Sequence, residues 1–307
     1  MKTTTLGRTG LEVSIAGLGC GGHSRLGISY GKDFDHAVGV LRRAIELGVN
    51  FIDTATNYQT EPHVARAIAE VPRDSVVISS KCGVADEQGL LTGDAYVAKL
   101  EASLQRLETD YVDIYHLHGL QPTHCDHALQ EIVPALQRAK EQGKLRHLAV
   151  SEAFETDRGH KTLKRVLDAD VFDVMMVGFN PLNPSARRDV FPATLKQGVG
   201  TLGMFAVRQA LTRPERLREV VAELIEAGKI DPQTVDHDDP LGFLGDVTDA
   251  GYRFSAHEPG LDVVLFGTGN PEHLETNLQS INADPLPAEQ HAKLTELFGQ
   301  LDTHSGN

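Results

Sequence analysis

Four polar side chains stand at or just beyond the ends of short β-branched runs, and together they could move a proton. They are Asp53, Tyr58, Lys81 and His118. A free tyrosine has a pKa of about 10 and is a poor acid at neutral pH, but a buried ammonium beside it stabilises the phenolate and lowers that pKa. Asp53 would hold Lys81 charged and oriented. His118 could donate a hydrogen bond to an oxygen on which negative charge develops.

Histidine 116 is the alternative to His118. Successive side chains of a strand point to opposite faces, so His116 and His118 share one face and the alternation alone does not choose between them.

The elements that must position these residues alternate along the chain. Short β-branched runs are separated by longer stretches whose apolar residues recur every three or four positions, as in Val97, Leu100, Leu104 and Leu107. This pattern is typical of repeated strand–helix units. The predicted strands are Ala16–Leu18, Asn50–Asp53, Val76–Ser79, Tyr111–Tyr115, Leu145–Ser151, Asp173–Val177, Gly200–Val207 and Asp262–Phe266.

Eight such units without a strong linker predict an α/β fold, with residues 1–307 forming one parallel (β/α)8 TIM barrel. The active site of such a barrel gathers at the carboxyl ends of the strands. This rule selects Asp53, Lys81, His118 and Ser151.

Three segments fall outside the eightfold pattern. Thr3 to Ser14 reads as an N-terminal β-hairpin that could plug the barrel floor. Residues 208–246 form a long excursion after the seventh strand, and loops of that length are usually functional or mobile. Residues 287–302 are predicted as a C-terminal helix followed by a frayed polar tail.

The bulk composition limits the partners. With 43 acidic and 29 basic residues the net charge is −14, which excludes a phosphate backbone or an anionic membrane as the expected partner. The chain has three scattered cysteines, no apolar leader and no stretch long enough to span a membrane. We therefore expect a cytoplasmic protein with a small-molecule substrate, and the sequence does not indicate an oligomeric state.

Ordered motifs on successive strand ends carry a family resemblance. They are Phe51-Ile52-Asp53-Thr54-Ala55 with Tyr58, Ser80-Lys81-Cys82-Gly83, and Asp113-Ile114-Tyr115-His116-Leu117-His118-Gly119. The sequence resembles the aldo-keto reductase family from Leu6 to about Asn277. The resemblance implies hydride transfer between a nicotinamide cofactor and a carbonyl or alcohol substrate such as an aldehyde, ketone or sugar. It also implies a catalytic tetrad of Asp53, Tyr58, Lys81 and His118, and the motif favours His118 over His116.

The resemblance further implies a set of cofactor-binding positions. In the family a Ser-Asn pair binds the nicotinamide carboxamide, and this chain has Ser151 and Glu152 at those positions. It has Met176 where the family usually has a glutamine, and Phe179 where the family has a tyrosine that stacks on the nicotinamide. Arg208, after the seventh strand, could bind a pyrophosphate through its planar guanidinium group. The remaining predicted contacts are Gly21, Gly22, Gly267, Thr268, Gly269, Asn270, His273 and Asn277, among which the backbone amides before the last helix suit phosphate.

The choice between NAD and NADP stays open. Many relatives carry an arginine or lysine where this chain has Gly269, and a phosphate usually requires such a charge-assisted partner. We expect dual use of NAD(P)(H), or a lean towards NAD.

Two other sequence patterns suggest ligands. Gly17, Gly19 and Gly22 match the dinucleotide fingerprint G-x-G-x-x-G. The motif requires a helix that begins at these glycines, but no helix is predicted before about Asp33. Residues 124–127 read His-Cys-Asp-His, whose spacing matches no tetrahedral zinc site, so no metal is expected.

Two alternative functions remain compatible with the sequence. The first is a regulatory nicotinamide-binding protein on the same scaffold, as the family's potassium-channel subunits illustrate, because fold does not fix function. The second is an enzyme that uses bound nicotinamide transiently for an isomerisation or elimination.

Overall fold

The computed structural model describes residues 1–307 and contains a closed barrel of eight parallel strands. Two short antiparallel pairs, β1–β2 and β6–β7, lie outside this barrel. The strands are β1 Thr3–Thr5, β2 Glu12–Ser14, β3 Ala16–Gly19, β4 Phe51–Asp53, β5 Val77–Gly83, β6 Ala85–Asp86, β7 Gly89–Leu90, β8 Val112–Leu120, β9 Leu145–Glu152, β10 Val174–Gly178, β11 Gly200–Met204 and β12 Val263–Phe266.

The barrel order β3-β4-β5-β8-β9-β10-β11-β12 follows the chain and closes between β12 and β3. All eight predicted strands are present, so the predicted (β/α)8 barrel is confirmed. The strand ends differ. β5 and β8 run on past the predicted Ser79 and Tyr115 because they pair with each other as far as Gly83 and His118.

Helices connect the strands and cover the barrel. They are α1 Phe34–Glu46, α2 Glu61–Ile68, α3 Gly93–Leu107, α4 Cys125–His127, α5 Val133–Glu141, α6 Lys161–Leu167, α7 Ala186–Asp189, α8 Phe191–Gln197, α9 Gln209–Thr212, α10 Pro214–Glu226, α11 Val247–Ala256, α12 Pro271–Asn282 and α13 Ala288–Phe298. Their apolar faces form one core of 73 buried residues with the outer face of the barrel. None of these helices has the length and apolar character that crossing a membrane requires.

The N-terminal hairpin β1–β2 closes the barrel floor as predicted. Leu6, Leu11 and Val13 are buried in one cluster with inward-facing residues of the barrel strands, Phe51 among them. Because a Cβ on Gly200 would lie 2.8 Å from the Leu6 side chain, a glycine at that position leaves room for the plug.

The C-terminal segment corrects the prediction of a frayed tail. The helix α13 is present, but the residues after it are held by side chains from the loops at the carboxyl end of the barrel. The Nδ2 atoms of Asn180 and Asn183 donate to the carbonyls of Ser305 and His304, both at 2.9 Å. Polar composition suggested fraying, whereas backbone carbonyls paired with distant amides make the tail part of the fold.

Candidate active site

The four predicted catalytic residues lie together at the carboxyl end of the barrel. Asp53 ends β4, Lys81 lies near the end of β5, and His118 lies near the end of β8. These three strands are neighbours, with Asp53 paired to Ser79 and Gly83 paired to His118. Because parallel strands end at the same edge of the sheet, three separate motifs bring their side chains to one place.

Lys81 and Asp53 form a buried ion pair. The Lys81 Nζ lies 2.7 and 2.6 Å from the two Asp53 carboxylate oxygens, and it also donates to the Thr54 carbonyl at 2.8 Å. Burial disfavours the ammonium, but the nearby groups, Asp53 foremost among them, together outweigh this effect, so the pKa of Lys81 lies above its usual value. Lys81 is therefore a fixed positive charge at neutral pH.

Tyr58 lies in the short 3-10 helix Thr56–Tyr58 that follows β4. Its hydroxyl is 3.4 Å from the Nε2 atom of His118, and the Lys81 ammonium is 5.0 Å from the centre of its ring. A Cβ on Gly21 would overlap the Tyr58 ring, so only glycine allows the ring to lie flat against that backbone.

The electrostatics of Tyr58 correct one expectation. Burial raises the pKa of Tyr58 above its usual value, and Lys81 is the largest influence in the lowering direction. The lysine acts in the predicted sense, yet desolvation outweighs it in the free protein. Tyr58 is therefore protonated at neutral pH, which is the form that a proton donor needs.

The histidine beside it is neutral. Burial, followed by the nearby Lys81 charge, lowers the pKa of His118 to about 3. A neutral imidazole has one ring nitrogen that donates and one that accepts. His116 faces deeper into the barrel, fully buried, with its Nε2 3.0 Å from the Ser79 hydroxyl. The structure thus brings His118, and not His116, to Tyr58.

A cavity of about 1060 Å³ opens beside this cluster. Asp53 and Tyr58 lie on its wall, and the loops after β3, β11 and β12 form most of the remainder. Of the predicted cofactor residues, those that line the cavity are Gly21, Gly22, Met176, Arg208, Gly267, Thr268, Gly269, Asn270 and His273.

The amino-acid sequence matches a known family over most of its length. The model described as "Aldo/keto reductase family" matches residues 18–235, more than half of the 307 residues. The chain belongs to the aldo/keto reductase family. This membership supports an oxidoreductase of the kind that acts on carbonyl compounds with NAD(P)(H).

Similar proteins include enzymes of two named activities. The chain is 29% identical over 290 residues to an L-galactose dehydrogenase of Arabidopsis thaliana, covering 92% of this chain and 88% of the relative. It is 28% identical over 252 residues to an NADH-specific methylglyoxal reductase of Escherichia coli strain K12, covering 75% and 74%. The holo form of an aldo-keto reductase from Bacillus halodurans has the same fold, with a TM-score of 0.75 at 22% identity and full coverage of both chains.

Close backbone contacts of this aldo/keto reductase suit a dinucleotide. A Cβ on Gly269 would overlap the backbone of Gly27, and a Cβ on Gly267 would lie 3.1 Å from the Gly19 carbonyl. Side chains at these positions would fill the cavity wall before α12, where backbone amides can approach a phosphate. The glycines, the cavity volume and the cations on its wall, Lys32, Arg208 and Arg213, therefore fit a nicotinamide dinucleotide.

Phe179, the predicted stacking ring, does not reach the cavity. It is fully buried, stacked on Phe254 at 5.5 Å and packed edge-on against Phe191 at 5.3 Å. A ring enclosed by two other rings offers no face to a ligand, so this prediction is wrong. Phe205, after β11, lies on the cavity wall instead. Its backbone φ of +69° is unusual for a residue with a side chain.

Three other predicted cofactor residues are absent from the cavity wall: Ser151, Glu152 and Asn277. The Ser151 hydroxyl accepts a hydrogen bond from the Gly119 backbone N–H, with 2.8 Å between the nitrogen and Oγ. Asn277 lies on α12, one turn beyond the cavity-lining His273.

Glu152 is turned into the protein. Its carboxylate accepts from His160 Nδ1 at 2.9 and 3.0 Å and from the Gly178 amide at 2.8 Å. Burial raises the pKa of Glu152. A carboxylate committed to these buried partners is not available to hold a carboxamide, which corrects the prediction for this position.

Arg208, the residue predicted to contact a pyrophosphate, lines the cavity. Its guanidinium stacks over the Phe205 ring at 4.2 Å, and its Nε donates to the side-chain oxygen of Asn307 at 2.7 Å. Across the cavity mouth, Gln209 Nε2 lies 2.8 Å from His23 Nε2. The first residues of the long excursion therefore meet the loop after β3.

Sequence reasoning missed further basic residues on the cavity wall, of which Lys32, His36 and Arg213 are examples. His36 Nε2 lies 2.7 Å from the Gly269 carbonyl, and the Lys32 side chain passes beside Gly27. Lys32 immediately precedes Asp33, the N-cap of α1. Its place at the start of the first barrel helix is the sequence feature that could have identified it as a cavity residue.

The His-Cys-Asp-His segment has other contacts. His127 Nε2 lies 2.8 Å from the Leu91 carbonyl, and Asp126 pairs with Arg165. No group of three or more potential metal ligands occurs in the structure.

Proposed function

We propose that this chain reduces an aldehyde or ketone carbonyl with a bound nicotinamide, or oxidises the corresponding alcohol or sugar, and that Tyr58 moves the proton. One observation carries the proposal. The Tyr58 phenol stands at the cavity wall 3.4 Å from the neutral His118 imidazole, with the buried Lys81 ammonium 5.0 Å from its ring. This is the constellation expected for proton transfer to a developing alkoxide.

The protein's own groups divide the work. A bound reduced nicotinamide supplies the hydride for the carbonyl carbon. Tyr58 gives its phenolic proton to the carbonyl oxygen, Lys81 stabilises the resulting phenolate, and His118 donates a hydrogen bond to the same oxygen. Solvent then returns a proton to Tyr58. In alcohol oxidation the proton moves the other way, so the Tyr58 phenolate is the reactive form.

For the substrate we propose a small polar carbonyl compound or a sugar. The relatives that support this choice are named as acting on methylglyoxal and L-galactose. The polar rim of the cavity, where His23 and Gln209 meet, suits hydroxylated compounds better than large apolar ones.

For the cofactor we propose that NADH serves at least as well as NADPH. One relative is named as NADH-specific, and Gly269 supplies no charge for a 2′-phosphate. Lys32 is the cation beside this position that could supply one.

Substituting Lys32 with alanine is expected to weaken NADPH binding about tenfold while changing NADH binding less than about twofold, because only NADPH carries the 2′-phosphate. Dissociation constants from quenching of protein fluorescence would measure this. Lys140→Ala removes a lysine that pairs with Asp173 away from the cavity, and it is the matched control. Equal weakening of both cofactors by Lys32→Ala would contradict the assignment.

Substituting Phe205 with alanine is expected to raise the dissociation constant of both cofactors about tenfold, because a flat apolar wall for the nicotinamide is lost. Phe179→Leu should leave both constants unchanged and lower the free energy of unfolding by roughly 1 kcal/mol. Titration calorimetry and urea unfolding would separate the two effects. Loss of affinity in Phe179→Leu alone would restore the original stacking assignment.

The neutral His118 predicts the pH dependence of reduction. Its pKa, lowered to about 3 by burial and Lys81, means that its charge state does not change near neutrality. We expect kcat/KM for carbonyl reduction to show no acid limb between about pH 5 and about pH 8. A limb near pH 6.5 that disappears in His118→Gln would instead indicate an imidazolium donor.

The direct test of function is a scan of nicotinamide absorbance. NADH and NADPH are each mixed with the protein and with methylglyoxal, simple aldehydes or ketones, and NAD and NADP with L-galactose and other sugars. We expect turnover with at least one pair and its loss in Tyr58→Phe. Tight cofactor binding without turnover would favour a regulatory protein.

A further inference from the structure

Behind the candidate catalytic cluster, hydrogen bonds continue from Asp53 into the barrel interior. The Ser79 hydroxyl lies 2.9 Å from the Asp53 Oδ1 atom and 3.0 Å from the His116 Nε2 atom. Ser79 and His116 each have 0% of their surface exposed. Neither touches the cavity, and neither has a part in the proton transfer described above.

The chemistry of these groups gives the chain a direction. A serine hydroxyl has one hydrogen, and the Asp53 carboxylate can only accept. Ser79 therefore donates to Asp53, and its oxygen is free to accept from a His116 Nε2–H. The order of donation is His116 to Ser79 to Asp53, and the same Asp53 oxygen also accepts from Lys81 at 2.7 Å.

The tautomer of His116 follows from its contact with Ser79. The single hydroxyl hydrogen of Ser79 goes to Asp53, so an N–H at Nε2 is the arrangement that makes both contacts hydrogen bonds. The Nδ1 atom is buried and has no hydrogen-bond partner. Burial, followed by the Lys81 charge, lowers the pKa of His116 well below its usual value and outweighs a contact with the Val150 backbone that acts in the raising direction, so the ring is neutral. An apolar side chain would leave no such unpaired atom, so packing alone does not account for an imidazole.

We propose that His116, acting through Ser79, is a positioning residue that holds the Asp53 carboxylate and reduces its effect on Tyr58. This inference rests on the proposed function, because it concerns the same proton transfer. The Asp53 charge raises the pKa of Tyr58, whereas the Lys81 charge lowers it. A carboxylate that accepts a serine O–H has its charge partly compensated, so more of the Lys81 field acts on the phenol.

The other ionisable groups near Tyr58 must stay constant in the test. They are Cys20, Arg25, Lys81, Asp53, His118 and Arg208. Substitutions at Ser79 and His116 leave all six in place, so a change in the ionisation of Tyr58 reports the hydrogen-bond chain.

The experiment uses Ser79→Ala and His116→Leu in the full chain. In each variant we expect the rise of kcat for alcohol oxidation with pH, which reports ionisation of Tyr58, to move to higher pH by about half a unit. At a pH below this rise, kcat should then be about threefold lower than in the parent. KM should change little. His116→Gln, whose amide can donate to Ser79, should restore the parent limb, and the double variant should shift no further than either single one.

A purely structural role predicts a different result. Ser14→Ala removes another buried serine hydroxyl, which donates to the Ala16 carbonyl at 2.7 Å at the opposite end of the barrel, and it is the matched control. If Ser79→Ala and His116→Leu only lower the melting temperature, as Ser14→Ala should, and keep the parent pH limb, the proposal is overturned.

A second readout does not depend on turnover. The absorbance of tyrosinate in the apoprotein, taken as parent minus Tyr58→Phe, follows the ionisation of Tyr58 directly. Its onset should move to higher pH in Ser79→Ala, and an unchanged onset would overturn the positioning role. A parent protein that transfers no hydride would overturn the proposed function, whereas this titration tests the positioning role of His116 and Ser79 whether or not hydride is transferred.

Discussion

Tyr58→Phe is expected to lower kcat for carbonyl reduction by at least about 100-fold, because removal of a positioned general acid costs about 10²- to 10⁴-fold. The dissociation constant of NADH should stay within about twofold. The phenylalanine ring keeps the flat contact with the Gly21 backbone and loses only the hydroxyl beside His118. Steady-state kinetics and fluorescence titration measure the two quantities separately.

The control for this substitution is Tyr111→Phe. Tyr111 immediately precedes β8, at its amino end, with the Arg73 guanidinium 4.2 Å from the centre of its ring, away from the cavity. It should keep the parent kcat. If Tyr58→Phe retains most of the activity, another group donates the proton and the assignment of Tyr58 is wrong.

Lys81→Met is expected to have the second largest effect. Without the ammonium, the phenolate left by proton donation is no longer stabilised, and kcat for reduction should fall by about 100-fold or more. In alcohol oxidation the phenolate is the reactive form. Loss of the lowering influence of Lys81 on the Tyr58 pKa should therefore move the oxidation limb to higher pH.

The same substitution leaves Asp53 as a buried carboxylate without its partner. Breaking a buried ion pair costs roughly 3–5 kcal/mol of unfolding free energy. The double variant Asp53→Asn with Lys81→Met removes that charge and should recover much of the stability without recovering turnover. Circular dichroism on heating, with kinetics on the same samples, separates the two effects. An oxidation limb unchanged in Lys81→Met would contradict the electrostatic role.

The barrel and the four clustered residues could be predicted because each depends on local sequence. Alternation of β-branched runs with amphipathic helices specifies strand–helix units, and a parallel barrel puts every strand end on one edge. Asp53, Lys81 and His118 lie at or near the carboxyl ends of three strands, so their meeting requires no knowledge of packing. Tyr58 follows within one short turn of Asp53.

The residues that line the cavity were predicted less well, because the burial of their side chains depends on partners that are distant in the sequence. Phe179 is hidden by Phe191 and Phe254, the latter 75 residues further along. Glu152 is turned inward by His160, the N-cap residue of α6, whose left-handed conformation the sequence does not indicate. A motif gives a position along a strand, whereas burial is decided by which helices pack over it.

The measurement that tests the central claim most directly is transfer of deuterium from the cofactor. Parent protein is given reduced nicotinamide carrying deuterium at the transferable C4 position, together with the carbonyl compound that turns over, such as methylglyoxal, and the product is examined by mass spectrometry and NMR. We predict one deuterium at the former carbonyl carbon, with formation strongly slowed in Tyr58→Phe. A product without deuterium at that carbon, or one formed equally fast by Tyr58→Phe, would contradict a nicotinamide-dependent reduction in which Tyr58 supplies the proton.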